Sequence, residues 1–132
     1  MRCGGQIKSQ GVLHEIAMMV VKGDLSPIKR LPSTQSKYNL HVVQMKRKYG
    51  SIENFIRSEF LGSGYSLVKN RFPYNVNALH LVLWTDSYAT NEEIETILRK
   101  ELGSRDYLWF EQTYEEKSIR TIDHVHVFID ND

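Results

Sequence analysis

The stretch Asp123-His124-Val125-His126-Val127-Phe128-Ile129 places two histidines in an otherwise apolar, strand-like run. A strand sends every second side chain to the same face, so we expect His124 and His126 to point the same way. At ~3.3 Å per residue their Cα atoms lie roughly 6.6 Å apart, close enough for both rings to bind one ion or phosphate. A second strand-like run, residues 78–84, contains His80. Three of the five histidines therefore fall in two predicted strands.

Between these two runs the sequence predicts a helix and a further strand. Thr90-Asn91-Glu92-Glu93 forms a capping box, which predicts a helix that begins there and ends at Gly103. Residues 107–111 predict a strand. A strand–helix–strand unit favours a parallel pair with a crossover, whereas the shorter connection over residues 112–121 permits an antiparallel return. We therefore expect a small mixed sheet of about three strands with one crossover helix.

Three helices are predicted in the N-terminal half of the chain. The first spans residues 11–21. The second begins with Ser33 or Thr34 as its cap and ends at Gly50, and Ser51 caps the third. Apolar residues recur at helical spacing along each of them, so each helix presents one side to a core.

The remaining N-terminal segments are predicted to lack regular structure. Residues 1–10 contain little apolar content, so we expect them to be flexible. Residues 65–77 contain Pro73, which has no backbone donor and biases its predecessor to an extended conformation, so we expect a loop. The predicted fold class is α+β, a single domain over residues 1–132 with the N-terminal helices packed on one face of the sheet.

Length and composition are those of a soluble globular domain. The 132 residues suit one domain, and an apolar share of 41% with a charged share of 25% is ordinary. No apolar run approaches the ~20 residues that cross a bilayer, so no membrane partner is expected. Cys3 is the single cysteine and cannot form an internal disulfide, which fits an intracellular location in cytoplasm or nucleus.

The net charge of +1 conceals an asymmetry between the two halves of the chain. Residues 1–73 have twelve Lys and Arg against four Asp and Glu, whereas residues 74–132 have five against twelve. A basic N-terminal half, with Lys46-Arg47-Lys48 in its second helix, suits a non-enzymatic module that binds nucleic acid or an acidic protein. The alternative is that the two halves pack together and their charges compensate.

The three strand histidines form the leading candidate site. His124 and His126, with His80 from a neighbouring strand, would present neutral imidazoles to a divalent metal such as zinc or manganese, or to a phosphate. Two histidines at i and i+2 are a weak signal by themselves. The alternative is that these histidines are hydrogen-bonded residues of the core with no ligand.

Aromatic residues and a carboxylate extend this candidate site. Phe72, Tyr74, Trp84 and Trp109 would line a small-molecule pocket and stack on a sugar ring or a base, although aromatic residues in strands also fill cores. Glu111 would serve as general base or ligand, with an exposed position at a strand end as the alternative. The predicted function is a small-ligand site for a metal, phosphate or sugar-phosphate, with hydrolysis as one activity. A structural or assembly role is the third class.

Several short motifs resemble those of one known family. They are Asn70-Arg71-Phe72-Pro73-Tyr74, His80-Leu81-Val82-Leu83-Trp84, Trp109-Phe110, Lys117-Ser118-Ile119 and His124-Val125-His126-Val127, in this order. With them the chain resembles the fungal N-acetylglucosamine-induced protein family over about residues 20–129. The resemblance implies a soluble cytoplasmic or nuclear protein and includes the same histidines. It implies no reaction, because the family's name records induction by a sugar.

Overall fold

In a computed structural model, which describes residues 1–62 and 64–131, an antiparallel sheet lies between helices on both of its faces. The elements, in chain order, are β1 (Cys3–Gln6), α1 (Val12–Lys22), α2 (Pro32–Tyr49), α3 (Ile52–Phe60), β2 (Tyr65–Lys69), β3 (Leu79–Thr85), α4 (Asn91–Leu102), β4 (Tyr107–Phe110) and β5 (His124–Ile129). The strand order is β1-β4-β5-β3-β2, and each neighbouring pair is antiparallel. The α+β class is confirmed, but the expected mixed sheet of about three strands is wrong, since the described residues form five antiparallel strands.

The central strand β5 separates the two strands that the crossover helix joins. β3 and β4 both pair antiparallel with β5, so they run in the same direction, as expected for a strand–helix–strand unit. They are not neighbours, because the short connection after β4 returns the chain into the position between them. The predicted crossover helix is present as α4, but the directly hydrogen-bonded parallel pair is not formed.

Both edges of the sheet are strands that were not predicted from the sequence. β1 pairs with β4 from Cys3 opposite Phe110 to Gln6 opposite Tyr107, so a strand lies within the segment predicted to be flexible. β2 pairs along its full length with β3, where a loop was predicted. An edge strand is specified by the strand it pairs with as much as by its own composition, and that partner is remote in sequence at β1.

Alternation along β5 gives the sheet two chemically different faces. Val125, Val127 and Ile129 lie on one face and pack against Ile94 and Leu98 of α4. The alternate residues of β5, which include its two histidines, lie on the opposite face beneath the N-terminal helices. Helices therefore cover both faces, and the prediction that they cover one face alone is wrong.

The helix boundaries follow local sequence signals. The Ser51 Oγ accepts a hydrogen bond of 3.0 Å from the Asn54 backbone N–H at the start of α3, and Thr90 with Glu93 forms the predicted capping box of α4. α2 begins at Pro32, whose fixed φ suits a first helical position, so the residues predicted as its cap lie inside the first turn. Among the helices of the described residues, none has the length and apolar character needed to cross a membrane.

The pairing of β1 with β4 predicts that Gly5 cannot be replaced by a residue with a side chain. Its φ is +148°, and a Cβ there would collide with the Tyr107 carbonyl oxygen. We expect Gly5→Ala to lower the free energy of unfolding by about 1–3 kcal/mol, measured by urea unfolding. Gly62→Ala is the control, because a Cβ there has no neighbour within 4 Å. Equal stability of the two variants would show that β1 is not part of the folded sheet.

Candidate functional site

A partly enclosed pocket of about 100 Å³ lies between the histidine face of the sheet and helices α2 and α3. Its walls include most of the predicted site residues: Phe72, Tyr74, Trp84, His124 and His126. Arg30, Tyr38, His41, Asn70, Arg71 and Gln112, which were not assigned to the site from the sequence, also line it. The predicted residues are thus part of a real concave surface, and the loop before β3 supplies its aromatic side.

The structure brings the three predicted histidines together on one face of the sheet. His80 and His126 are diagonal neighbours across the β3–β5 pair, and the His80 Nε2 lies 2.8 Å from the His126 Nδ1. His124 lies further along the same face, directly opposite Trp84, with 4.6 Å between the two ring centroids. All three imidazoles are buried.

A backbone donor decides which ring nitrogens carry hydrogen. The Tyr74 N–H donates to the His80 Nδ1 at 3.1 Å, so this nitrogen is unprotonated in the neutral ring. The His80 Nε2–H then donates to the His126 Nδ1, and the His126 Nε2–H faces the Gln112 Oε1 at 3.2 Å. The Gln112 amide in turn donates to the Tyr74 hydroxyl oxygen at 2.7 Å. A one-way series of donors, the histidine relay, therefore runs from the Tyr74 backbone to the Tyr74 hydroxyl.

Burial keeps the histidines of the relay neutral. It lowers the pKa of His80 to about 3, and the positive charge of Arg30 acts in the same direction. Burial also lowers the pKa of His126 well below its usual range, assisted by the neighbouring His80 and His124. The pKa of His124 is lowered as well, again mainly by burial. The relay is therefore a set of neutral hydrogen bonds at physiological pH.

The imidazole nitrogens of the relay are hydrogen-bonded to one another and to their neighbours, and metal binding by His80, His124 and His126 stays a prediction. Both nitrogens of His80 and both of His126 take part in the relay, which leaves these two rings without a free lone pair. Among the residues that the structure describes, no three His, Cys, Asp or Glu side chains are placed to hold a metal ion. Hydrogen-bonded core histidines, the alternative considered from the sequence, describe His80 and His126 better.

Trp109 does not join the histidines. It lies on the opposite face of the sheet, buried against α4, where its Nε1–H donates to the Glu95 Oε1 at 2.6 Å. Trp109 is opposite Val127 in the β4–β5 register, and residues opposite each other share a face. The prediction that Trp109 lines the histidine site therefore differs from the structure, which gives it a place in the core.

Glu111 is held by two cations outside the pocket. Its carboxylate accepts hydrogen bonds of 2.9 Å from the Arg2 Nε and 2.9 Å from the Lys117 Nζ. Burial alone would raise the pKa of Glu111, but these two ion pairs lower it below its usual range. Both carboxylate oxygens are occupied, so Glu111 links Arg2, the residue before β1, to Lys117 in the loop before β5. Its role as a general base stays a prediction.

Arg30 carries the charge nearest to the relay. Its Nε donates to the Phe72 carbonyl oxygen at 2.7 Å, and its guanidinium lies 4.2 Å from the Tyr38 ring centroid and 5.5 Å from that of Tyr74. Within residues 1–62 and 64–131, no carboxylate forms an ion pair with Arg30. From the sequence, Arg30 is one of several basic residues of the N-terminal half. Nothing in its neighbouring residues indicates that it turns toward the loop before β3.

His41 is a pocket histidine that the strand pattern did not indicate. It is the buried residue of α2, with its ring 5.3 Å from that of Phe55 and 5.1 Å from that of Phe72. Burial, followed by the charge of Arg71, lowers its pKa. His41 lies three positions after Tyr38 on the same helix, so helical spacing is the signal that would have identified it.

The basic residues that were predicted to bind nucleic acid or an acidic protein lie apart from the pocket. Lys46, Arg47 and Lys48 are exposed in the last turn of α2, where positive charge complements the helix dipole. Their binding to nucleic acid or an acidic protein stays a prediction.

The fold and the pocket together define an α+β domain with a buried histidine cluster on the strands of an antiparallel sheet. Residues 13–130 match the family described as "Protein of unknown function (DUF3605)", and the chain belongs to this family. No curated protein matches the sequence. The resemblance to the fungal N-acetylglucosamine-induced family stays a prediction.

A solved structure shares this architecture. A chain described as "Crystal Structure of HTC1" is similar, with a TM-score of 0.64, 20% sequence identity, and coverage of 90% of this chain and 84% of that chain. At this identity the likeness concerns the fold alone.

The neutral histidine pair predicts a loss of stability in acid. The folded pKa values of His80 and His126 lie below the ~6.5 of an unfolded histidine, so the unfolded chain binds more protons. Stability should be complete above about pH 6.5 and decrease as the pH falls, by up to about 1.4 kcal/mol per pH unit for each histidine. Urea unfolding at several pH values between 7.5 and 4.5, a range of roughly three units around the histidine value, measures this slope.

Two substitutions separate this effect from general acid denaturation. His126→Gln removes one of the titrating rings, so the slope should be shallower while stability at neutral pH decreases by about 1–3 kcal/mol. His14→Gln, in α1 and outside the relay, is the matched control and should keep the slope of the unsubstituted protein. Identical slopes for all three proteins would contradict a neutral buried pair.

Proposed function

We propose that the protein binds a small organic anion in this pocket, a carboxylate or a phosphate ester attached to a flat apolar group. The charge of the walls carries this proposal. Arg30, Lys69 and Arg71 contribute to the lining, and among the described lining residues there is no Asp or Glu. A concave surface with three cations and no counter-charge favours an anionic ligand.

The environment of Arg30 supports this proposal. The guanidinium is half-buried, and its Nη2 has no hydrogen-bond partner among the described residues. Taking a guanidinium partly out of water without a carboxylate is unfavourable, and a bound anion would offset that cost. The planar guanidinium matches carboxylate and phosphate oxygens in geometry, so these two groups are the ligands that it prefers.

The aromatic side chains determine the shape and apolar character that we expect for the rest of the ligand. Tyr38, Phe72, Tyr74 and Trp84 provide flat apolar surface around the cationic part. The volume of about 100 Å³ is smaller than the ~150 Å³ cavity that encloses a benzene molecule. We therefore expect the anionic group and the atoms next to it to be enclosed, and the remainder of the ligand to lie in the open mouth.

Binding, and not hydrolysis, is the activity proposed. A hydrolytic site needs a base close to the reacting group. Glu111, the predicted base, is occupied by Arg2 and Lys117 and does not line the pocket. The nitrogens of His80 and His126 are occupied in the relay, so neither ring is free to accept a proton from a water molecule. Burial lowers the pKa of His124, which makes this third histidine a weak base.

The two tryptophans provide an internal test of this proposal. Trp84 lines the pocket and Trp109 lies on the opposite face of the sheet, so an occupied pocket should shift one indole N–H signal in ¹H–¹⁵N spectra and not the other. We expect phenylacetate and phenyl phosphate to shift the Trp84 signal, and neutral phenylacetamide to leave it unchanged at the same concentration.

Substitution of the central arginine measures its contribution. Arg30→Gln should weaken phenylacetate binding by about 10- to 100-fold, the range for a hydrogen bond with a charged group. Arg57→Gln, an exposed arginine of α3 outside the pocket lining, is the matched control and should bind as before. Equal binding of the acid and the amide, or no effect of Arg30→Gln, would count against an anion site.

A further inference from the structure

The pocket contains a hydrogen-bond donor that no group of the described residues accepts. The Tyr74 hydroxyl oxygen accepts from the Gln112 amide at 2.7 Å, and its other polar neighbour, the His126 Nε2 at 3.4 Å, carries a hydrogen in the relay. Both neighbours are donors, so the hydroxyl hydrogen has no acceptor among the residues that the structure describes. Tyr74 lines the pocket, and its O–H is therefore available to a bound molecule.

One residue of the pocket lining also has a hydrogen-bond acceptor with no partner in residues 1–62 and 64–131. The His124 Nδ1 lies 2.9 Å from the Ile122 carbonyl oxygen, which can only accept, so Nδ1 carries the hydrogen and Nε2 is the unprotonated nitrogen of the neutral ring. No described residue donates to this Nε2. No partnerless side-chain nitrogen or oxygen is sealed in the described interior, so the Nε2 retains some exposure, and His124 is one of the residues that line the pocket.

The donor and the acceptor belong to two residues that line the same pocket of about 100 Å³. Both rings pack on His126, with centroid distances of 5.1 Å from Tyr74 and 5.7 Å from His124. The Trp84 ring packs against the His124 ring at an angle of 33° and restricts its orientation. Neither group can turn away without breaking the hydrogen bond to Gln112 or to Ile122.

We infer that the ligand of this pocket is a hydroxylated anion, a molecule with an O–H or N–H donor next to its carboxylate or phosphate group. His124 accepts a hydrogen bond from that donor, and Tyr74 donates to an oxygen of the anionic group beside Arg30. This inference rests on the proposed function and names the ligand class of the same pocket.

The physical reason for selectivity is the cost of leaving a desolvated acceptor unpaired. An anion without a donor would displace water from the His124 Nε2 and leave that nitrogen without a hydrogen bond. A site that forms a hydrogen bond with a ligand hydroxyl rejects analogues that lack it more strongly than an apolar pocket rejects a missing methylene. The hydroxyl, and not the size of the ligand, should therefore determine relative affinity.

Three acids of similar shape test this inference. Mandelate is phenylacetate with a hydroxyl on the carbon beside the carboxylate, and α-methoxyphenylacetate keeps the oxygen but lacks its hydrogen. Titrations of the Trp84 indole signal should give mandelate an affinity about 3- to 10-fold higher than phenylacetate, as expected for one hydrogen bond. The methoxy acid should bind no more tightly than phenylacetate.

Two substitutions assign the discrimination to its residues. His124→Phe keeps a ring on Trp84 but removes the acceptor, so the affinity ratio of mandelate to phenylacetate should fall to about one, the value without the hydrogen bond. Tyr74→Phe should weaken both acids together and preserve the ratio. If His124→Phe does not fold, as judged by thermal unfolding, the comparison of hydroxy and methoxy acids in the unsubstituted protein decides.

The outcomes separate this inference from the proposed function. Phenylacetate that binds as tightly as mandelate, or a ratio that survives in His124→Phe, would overturn the hydroxylated-anion inference while leaving an anion site in place. No binding of any acid or phosphate would overturn both. A mandelate preference that disappears with the hydroxyl hydrogen and with His124 is the result that supports the inference.

Discussion

The hydrogen bond from the Tyr74 backbone N–H to His80 determines the direction of every hydrogen bond in the histidine relay. An amide can only donate, so it selects one tautomer of His80, which in turn selects that of His126 and the orientation of the Gln112 amide. Buried polar groups are tolerated when they are fully paired and costly when they are not. The relay is therefore stable without a ligand. The two groups that have no partner among the described residues, the Tyr74 O–H and the His124 Nε2, belong to residues that line the pocket.

This arrangement depends on the central position of β5. The strand presents Val125 and Val127 to α4 and its histidines to the N-terminal helices, so one alternating pattern specifies both the core and the site. A shift of one residue in the register would exchange the two faces and bury unpaired imidazoles against α4. Because helices pack on both faces of the sheet, such a shift would lower the free energy of unfolding through lost packing on each face. Fold and site are therefore held by the same register.

Local signals in the sequence were enough for some elements and not for others. The alternation in β5 and the cap at Ser51 depend on adjacent residues, and both were found from the sequence. Trp84 and Trp109 show where local signals are not enough. Both lie in strands, but Trp84 is opposite His124 and Trp109 is opposite Val127, so they lie on different faces of the sheet. Which face each tryptophan occupies follows from the pairing register, a long-range property. The edge strands β1 and β2 were missed for the same reason.

The cation at the pocket favours the neutral form of the histidines beneath it. A carboxylate in the place of Arg30 would raise the pKa of His80 and favour a second hydrogen on the ring, which would conflict with the Tyr74 N–H. Arg30 acts in the opposite direction, and burial is the larger cause of the lowered pKa, about 3. An anion bound at Arg30 would offset its charge, but burial would still keep His80 neutral. The relay would therefore persist in the complex, and Tyr74 would be oriented before the ligand arrives, which reduces the entropic cost of binding.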